Sequence, residues 1–169
     1  KTQIIFVCLP TPMRRNGECD LSIVSETIYK LNSFNNNNVA VVKSTVLPGT
    51  TEKFNKECDN LQVVFNQEFL TEANFINDFK NQNRVIIGGP RPATTKLKNL
   101  YRKCYPAASI IKTGSNTAEM VKYFTNCFLA TKVSFSNEIR QICEKINVDY
   151  DKVVEYGLYD QRIGKTHFS

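Results

Sequence analysis

The sequence predicts an α/β protein in which a parallel β-sheet precedes an α-helical segment built on one long helix. Short, continuous apolar runs recur along residues 1–113 and alternate with helical segments, which is the pattern of buried parallel strands joined by crossover helices. From residue 116 onward, apolar residues instead follow the helical period over ~30 residues. This change of pattern predicts a domain boundary near residue 113.

The apolar runs define the predicted strands in chain order. They cover residues 3–9, 39–42, 61–65, 84–88 and 107–112. Each run is short and bounded by polar, Pro or Gly residues, as strands of a buried sheet are. The polar Asn run at residues 35–38 predicts a loop.

Capping and turn residues define the predicted helices. One helix begins at Asp20 or Ser22 and ends near residue 34, another begins at Pro48, and a third covers residues 92–105. Asn116, with Glu119 three residues later, forms a predicted capping box for the long helix. A last helix is predicted from about residue 149 to residue 157. Helices as long as the one from residue 116 often form dimer interfaces, so we expect a homodimer or a larger assembly through this helix.

The composition is that of an ordinary globular protein. The 169 residues are 41% apolar and 22% charged. No apolar run approaches the ~20 residues that cross a bilayer, and the first run is too short for a signal peptide. We therefore expect a cytoplasmic protein that binds no membrane. The first residue is not Met, which predicts further residues in front of it.

The net charge of +6 has two interpretations. One is an even scatter of lysines that favours solubility, and the other is an anionic small ligand such as a nucleotide sugar. A nucleic-acid binder is the least favoured class, because the chain has neither a basic stripe nor a recognition motif.

The six cysteines predict neither a metal site nor a redox motif, because no two of them form a CxxC pair. Cys8, Cys127 and Cys143 lie in apolar stretches and are predicted to be buried thiols. Without a secretory signal, a reducing compartment is expected.

Two pairs of polar residues stand at helical spacing. Glu68 and Glu72 are four residues apart after a strand, and Lys122 and Asn126 are four apart on the long helix. If a helix begins at about residue 70, the two carboxylates share a face at the ligand-binding end of the sheet. Each pair could equally be a solvated helix flank, and Thr45 could simply cap the helix that follows it.

Five motifs occur in a fixed order and cover nearly the whole chain. They are Pro10-Thr11-Pro12; Lys43-Ser44-Thr45-Val46 with Gly49; NQEFLTEA at residues 66–73; Glu119, Lys122, Asn126, Leu129 and Ala130 on the long helix; and Arg162-Ile163-Gly164. Together they resemble the UDP-glucose/GDP-mannose dehydrogenase family. Two positions depart from the family pattern, since Gln67 replaces a Pro and Ala73 a Gly. Both departures concern loop rigidity.

The resemblance implies a fold and an activity. Residues 1–113 would form the second half of a Rossmann-like NAD-binding domain, and residues 114–169 an incomplete helical central domain that dimerises. The implied reaction is the oxidation of UDP-glucose to UDP-glucuronate with two NAD. Sister enzymes acting on GDP-mannose or UDP-N-acetyl sugars share these motifs, although residues 159–162 favour the UDP-glucose branch. A non-catalytic dimerising remnant is a further alternative.

The resemblance also implies roles for single residues. Pro10, Thr11, Thr45 and Glu72 would lie near the nicotinamide half of NAD, and the backbone of Phe69, Leu70 and Thr71 would hold the sugar nucleotide. Glu68 and Thr45 would act on the catalytic proton or the hydrolytic water, Lys122 and Asn126 would stabilise the oxyanion, and Arg162 would reach the substrate.

Two motifs of the family have no match within residues 1–169. These are the G-x-G-x-x-G that cradles the pyrophosphate and the G-G-x-C that carries the nucleophilic thiol. None of the six cysteines has the nucleophile's context. We therefore expect both motifs outside this chain, and an inactive fragment within it.

Overall fold

A computed structural model describes residues 3–34, 37–71 and 73–168. The chain divides into two compact units, residues 1–122 and 123–169. Glu72 and the predicted loop residues Asn35 and Asn36 lie outside the described residues.

The order of elements agrees with the predicted alternation of strands and helices. The strands are β1 (Ile4–Val7), β2 (Asn38–Val42), β3 (Leu61–Phe65), β4 (Arg84–Gly88) and β5 (Ser109–Thr113). The helices are α1 (Ser22–Ser33), α2 (Thr50–Glu57), α3 (Phe75–Lys80), α4 (Ala93–Cys104), α5 (Ser115–Lys145) and α6 (Tyr150–Gly157).

The five strands form one sheet in the order β1-β2-β3-β4-β5. The pairs β1–β2, β2–β3 and β4–β5 are parallel and in continuous register, for example Val7 with Val42 and Val42 with Phe65. The predicted α/β class is therefore confirmed.

The pair β3–β4 departs from the predicted parallel arrangement. It is antiparallel and meets at one residue pair, Phe65 with Gly88. A parallel pair needs a crossover element packed on the sheet. The short helix α3 between these strands has no buried residue, so it does not provide that crossover.

The sheet is buried on both faces. Ala40 and Val42 of β2 pack in one apolar cluster with residues of α1 and α2, whereas Val39 and Val41 pack in a second cluster with residues of α4. Because alternate residues of a strand point to opposite faces, a continuous Val run suits a strand covered on both sides.

The first turns of α5 are held by a buried carboxylate. Glu119 is fully buried, and its two carboxylate oxygens accept hydrogen bonds from the backbone N–H of Gly49 at 2.7 Å and of Thr51 at 2.9 Å. These N–H groups belong to the start of α2, where a helix leaves donors unpaired. Gly49 itself has a φ of +97°, which glycine adopts without steric cost.

This contact corrects the predicted capping box. Glu119 caps α2 and not its own helix, while the side chain of Asn116 donates to the carboxylate of Glu52 at 2.9 Å. Asn116 is 64 residues from Glu52, and Glu119 is 70 and 68 residues from Gly49 and Thr51, so only the fold brings these groups together. A carboxylate in a buried position takes the strongest donors within reach, and here these are the amides of α2.

The sheet also approaches α5 closely at Gly88. A Cβ placed on Gly88 would lie 2.5 Å from the Cβ of Ala118 and 2.9 Å from the Cα of Ser115. Only glycine permits this approach, so β4 and the first turn of α5 are in direct backbone contact.

The second unit contains α5 from residue 123 onward and the whole of α6. The carboxylate of Asp149 accepts hydrogen bonds from the N–H groups of Asp151 and Lys152 and so caps α6. The hydroxyls of Ser136 and Tyr150 are hydrogen-bonded to each other, and the Tyr150 hydroxyl donates to the carbonyl of Phe168 at 2.8 Å. These bonds attach α6 and the end of the chain to α5.

We expect Glu119→Ala to lower the free energy of unfolding by about 2–4 kcal/mol, because two helix N–H groups lose their charged acceptor inside the protein. Glu119→Gln keeps one acceptor oxygen and should cost less. Chemical denaturation measures both. The exposed Thr117, in the same helical turn, is the matched control, and Thr117→Ala should stay within about 0.5 kcal/mol of the parent. Equal stabilities of Glu119→Ala and Thr117→Ala would contradict this assignment.

Candidate active site

A cleft opens at the carboxyl ends of the three strands β1, β2 and β3. We call it the strand-end cleft; its volume is about 470 Å³. Each strand contributes residues that follow its end. They are residues 8–11 after β1, residues 43–45 after β2, and Gln67 and Glu68 after β3. Ligands of α/β proteins bind at this end of the strands.

Ser44 joins the ends of β1 and β2. Its hydroxyl donates to the carbonyl of Leu9 at 2.6 Å and accepts from the N–H of Leu9 at 2.9 Å. This pair of bonds closes the sheet where its backbone ladder ends, and it fixes the chain that leads to Pro10 and Thr11.

Thr45 is linked to Glu68 through one side chain. The amide nitrogen of Gln67 donates to the hydroxyl of Thr45 at 2.8 Å and, over a longer 3.4 Å, to a carboxylate oxygen of Glu68. Since Glu119 accepts from the first N–H groups of α2, the alternative that Thr45 serves to cap that helix loses its support.

Lys122 contacts Glu68 of this cleft from α5. Its ammonium donates to the backbone carbonyl of Glu68 at 3.0 Å and lies 3.9 Å from the carboxylate of Glu68. Lys122 is 8% exposed, so the alternative of a solvated helix flank is wrong for this residue. Burial lowers the pKa of Lys122, and the nearby Glu68 opposes that shift.

Phe69 lies between two cations. The guanidinium carbon of Arg84 is 4.4 Å from the centre of its ring, and the ammonium of Lys122 is 5.7 Å from it. A cation within about 6 Å of an aromatic ring is attracted to the ring's electron-rich face. Phe69 thereby orients the ammonium that contacts Glu68.

Lys43 is a second ammonium at the cleft, partly buried at the end of β2. Its nitrogen lies 3.4 Å from the amide oxygen of Asn66, which also accepts from the buried Tyr101 hydroxyl at 2.5 Å. Burial lowers the pKa of Lys43, and Glu68 opposes this shift. Burial likewise raises the pKa of Tyr101, which therefore stays a neutral donor.

The predicted site residues fall into three groups. Pro10, Thr11, Thr45, Glu68 and Leu70 line the strand-end cleft. Phe69, Leu70 and Thr71 line a neighbouring groove of about 490 Å³. The N–H of Thr71 already donates to the carboxylate of Asp78 at 2.8 Å, so this amide has a partner within the protein.

The remaining predicted residues lie elsewhere in the chain. Asn126 is exposed on α5 in the second unit. Arg162, in the same unit, pairs with Asp160 at 2.6 Å and its side chain is 90% exposed. Glu72 lies outside the described residues, and the segment 66–71 before it is not helical, so Glu68 begins no helical face there. The roles of Asn126, Arg162 and Glu72 stay predictions.

The predicted burial of the cysteines is right for Cys143 and wrong for Cys8 and Cys127, which are both exposed. Cys8 follows the last paired residue of β1 and lines the strand-end cleft. Cys127 shares an exposed stretch of α5 with Phe124 and Phe128. An apolar run in the sequence does not reveal which of its positions a neighbouring element covers.

Sequence reasoning missed two residues of the cleft, Lys43 and Gln67. Lys43 entered only as part of a motif, and Gln67 only as a departure that affects loop rigidity. The available signal was polarity, because a long cation and an amide directly after Val-rich strands are costly unless they have partners.

Neither a metal cluster nor a membrane helix appears in the described part of the chain. Residues 3–34, 37–71 and 73–168 contain no group of three or more His, Cys, Asp or Glu arranged to bind a metal ion. Over the same residues, no helix combines the length and the hydropathy that crossing a bilayer requires.

The fold and the cleft define an α/β domain whose candidate ligand site lies at the carboxyl ends of its strands. Comparison with known families makes this specific. The NAD binding domain of the UDP-glucose/GDP-mannose dehydrogenase family matches residues 1–105, and the central domain of that family matches residues 116–169. The chain belongs to the UDP-glucose/GDP-mannose dehydrogenase family.

Individual relatives agree with this membership. UDP-glucose 6-dehydrogenase TuaD of Bacillus subtilis is 38% identical over 97% of this chain and 37% of its own length. UDP-glucose 6-dehydrogenase of Rickettsia bellii is 35% identical over 96% of this chain and 39% of its own length. The chain thus spans less than two fifths of the length of these curated relatives.

Two solved structures share the fold. The UDP-glucose dehydrogenase of Pyrobaculum islandicum superposes with a TM-score of 0.89 at 32% identity, covering 99% of this chain and 41% of its own. The GDP-mannose dehydrogenase of Pseudomonas aeruginosa gives a TM-score of 0.84 at 30% identity, covering 99% of this chain and 41% of its own. The predicted membership of this family is confirmed.

We expect Lys43→Met to raise the free energy of unfolding at about pH 7, because it removes a partly buried cation whose pKa is lowered in the folded state. Below that lowered pKa, both folded and unfolded chains carry the proton, and the cost of burying the charge is fully present. The cost disappears as the pH rises towards the ordinary Lys value of ~10.4.

The stabilisation by Lys43→Met should therefore shrink between about pH 7 and about pH 10. Chemical denaturation of parent and variant at both pH values measures it. Lys96→Met, at an exposed position of α4, is the control and should show no such trend. If the increase in the free energy of unfolding caused by Lys43→Met stayed constant with pH, the increase would not come from removal of the buried charge.

Proposed function

We propose that this chain is the catalytic middle portion of an NAD-dependent UDP-glucose 6-dehydrogenase, which oxidises UDP-glucose to UDP-glucuronate with two NAD. The observation that carries the proposal is the buried Lys122 ammonium, held 3.0 Å from the carbonyl and 3.9 Å from the carboxylate of Glu68. Family membership supplies the reaction class. The UDP-glucose 6-dehydrogenases among the relatives favour this sugar.

The strand-end cleft suits the nicotinamide half of NAD. Pro10 and Thr11 offer an apolar ring and a hydroxyl, and Thr45 offers a second hydroxyl, all at the end of the sheet where dinucleotides bind. A buried amide oxygen of Gln67 lies in the same wall and has no hydrogen-bond partner among the described residues, so it is an acceptor that a bound ligand could use. In this proposal Glu72 also lies near the nicotinamide. NAD, when bound, accepts the hydride that the alcohol carbon gives up.

Glu68 and Thr45 handle the proton of the reaction. When an alcohol loses hydride from carbon, its hydroxyl proton must pass to a base, and Glu68 is the carboxylate at the cleft. Thr45, joined to Glu68 through Gln67, orients the hydroxyl or the hydrolytic water. The released proton thus leaves the substrate oxygen for the carboxylate.

Lys122 stabilises negative charge on that oxygen. An ammonium withdrawn from water, with its position fixed by Glu68 and Phe69, interacts strongly with a developing oxyanion and needs no reorganisation. In this proposal Asn126, one helical turn further along α5, adds a neutral amide donor. The backbone of Phe69, Leu70 and Thr71 holds the sugar nucleotide, and Arg162 binds its anionic part.

Oxidation beyond the aldehyde needs a covalent thiol intermediate. None of the six cysteines lies in a G-G-x-C motif, and residues 1–169 contain no G-x-G-x-x-G. We therefore assign the nucleophile and the pyrophosphate cradle to sequence outside this chain.

The complete protein, in this proposal, is a cytoplasmic homodimer or larger assembly that pairs through α5, which exposes Phe124, Phe128 and Phe135. Residues 1–113 belong to its NAD domain and residues 114–169 to its central domain.

The complete protein should reduce two NAD for each UDP-glucose, and the 169-residue chain alone should reduce none. Turnover is followed by NADH absorbance with UDP-glucose, GDP-mannose and UDP-N-acetylmannosamine in parallel. A preference for either of the last two would reassign the protein within its family. Turnover by the isolated chain would show that the thiol assigned outside it is not essential.

In the complete protein, Lys122→Met should lower kcat by on the order of 100-fold, because the oxyanion loses its fixed cation. The apolar Met fills a similar volume, so the fold should persist, and thermal unfolding checks this. Lys96→Met on α4 changes an exposed lysine away from the cleft and should leave kcat at the parent value. A kcat for Lys122→Met within a factor of about three of the parent would rule out this role.

A further inference from the structure

We propose that Gln67 is a positioning residue that holds the Thr45 hydroxyl and the Glu68 carboxylate in their working orientation. This inference deepens the proposed function and rests on it. It assigns a role to a residue that the sequence alone related only to loop rigidity.

The Gln67 side chain is buried and occupies the space between the other two residues. It is 6% exposed. Its amide nitrogen carries two hydrogens, and its two acceptors are the Thr45 hydroxyl at 2.8 Å and the Glu68 carboxylate at 3.4 Å. One planar group therefore joins the ends of β2 and β3 through side chains. A Pro at this position has no donor and could make neither bond.

The bond to Thr45 determines what the hydroxyl can do. Its oxygen accepts from Gln67, so the hydroxyl hydrogen is directed away from the amide and is available as a donor. The carboxylate of Glu68 fixes the orientation of the amide, because a carboxylate accepts from the nitrogen and would repel the amide oxygen. Gln67 thus couples the position of the Glu68 carboxylate to the direction of the Thr45 hydroxyl.

The other end of the amide shows that stability alone does not account for Gln67. Its oxygen is buried without a hydrogen-bond partner among the described residues. Such an atom lowers the stability of the folded state, and an apolar side chain of the same length would avoid that cost. A purely structural role would be filled better by Met or Leu than by Gln.

The test is Gln67→Met in the complete protein, because Met keeps the length of the side chain and removes both ends of the amide. We expect kcat with UDP-glucose to fall by about 10-fold or more while KM changes by less than about 3-fold. The thermal midpoint should stay equal or rise, since the unpaired oxygen is removed. Gln62→Met, on strand β3 and only half-buried, is the matched control and should leave kcat at the parent value.

The split between kcat and thermal stability separates positioning from packing. A purely structural role would lower kcat only as far as the fold is destabilised, whereas a positioning role lowers kcat while the thermal midpoint is kept. An unchanged kcat, or a loss of kcat matched by a lower thermal midpoint, would overturn the inference.

A double-substitution cycle tests the contact without any turnover. Thr45→Val and Gln67→Met remove the two partners of the 2.8 Å bond, so their effects on the thermal midpoint should not add. Additive shifts would overturn the inference even if the enzyme were inactive. Absence of turnover by the parent protein on every nucleotide sugar, together with a non-additive cycle, would instead refute the proposed function and leave the contact established.

Discussion

The geometry of the cleft depends on one buried carboxylate. Glu119 is withdrawn completely from water and bound by two backbone amides at the start of α2. A buried carboxylate is tolerable only when charge-assisted hydrogen bonds replace its hydration. It holds the start of α5 at one point of the sheet layer, and Gly88 holds it at another. Three residues after Glu119, the same helix delivers Lys122 to Glu68.

The cleft concentrates polar groups that the core excludes. Three strands end in hydroxyl, amide, carboxylate and ammonium groups, directly after segments made almost wholly of Val and other apolar residues. Burial lowers the pKa of both lysines, which means that their charged forms are less stable there than in water. Sites of this kind trade stability of the fold for preorganised charge, which is the usual relation between active sites and the rest of a domain.

Much of this fold could be predicted from sequence, and the reason is local. Each strand lies in a short, mainly apolar run, and the run at residues 61–65 matches β3 residue for residue. The antiparallel pairing of β4 with β3 was not predictable, because it depends on whether the intervening helix α3 packs on the sheet. The sequence alone does not show that α3 lies on the surface. Glu119 was misassigned for a related reason. A local partner was visible in the sequence, whereas the real partners lie 70 and 68 residues away.

The candidate site was predicted unevenly. The motifs point to Thr45, Glu68 and Lys122. In the structure, Thr45 and Glu68 line one cleft and Lys122 contacts Glu68. Motifs carry no information about a residue that replaces the usual one, so the contact of Gln67 with Thr45 appears only in three dimensions. The exposure of single side chains could not be predicted from the sequence either. Cys8 and Cys143 occur in similar apolar runs, but only Cys143 is buried.

The division between the two compact units falls directly after Lys122. Its contacts with Glu68 and Phe69 are therefore internal to the first unit. The described charges at the cleft, two ammonium groups and one carboxylate, all belong to residues 1–122. Within the described residues, the charge that this cleft carries is consequently encoded in one continuous stretch of the chain.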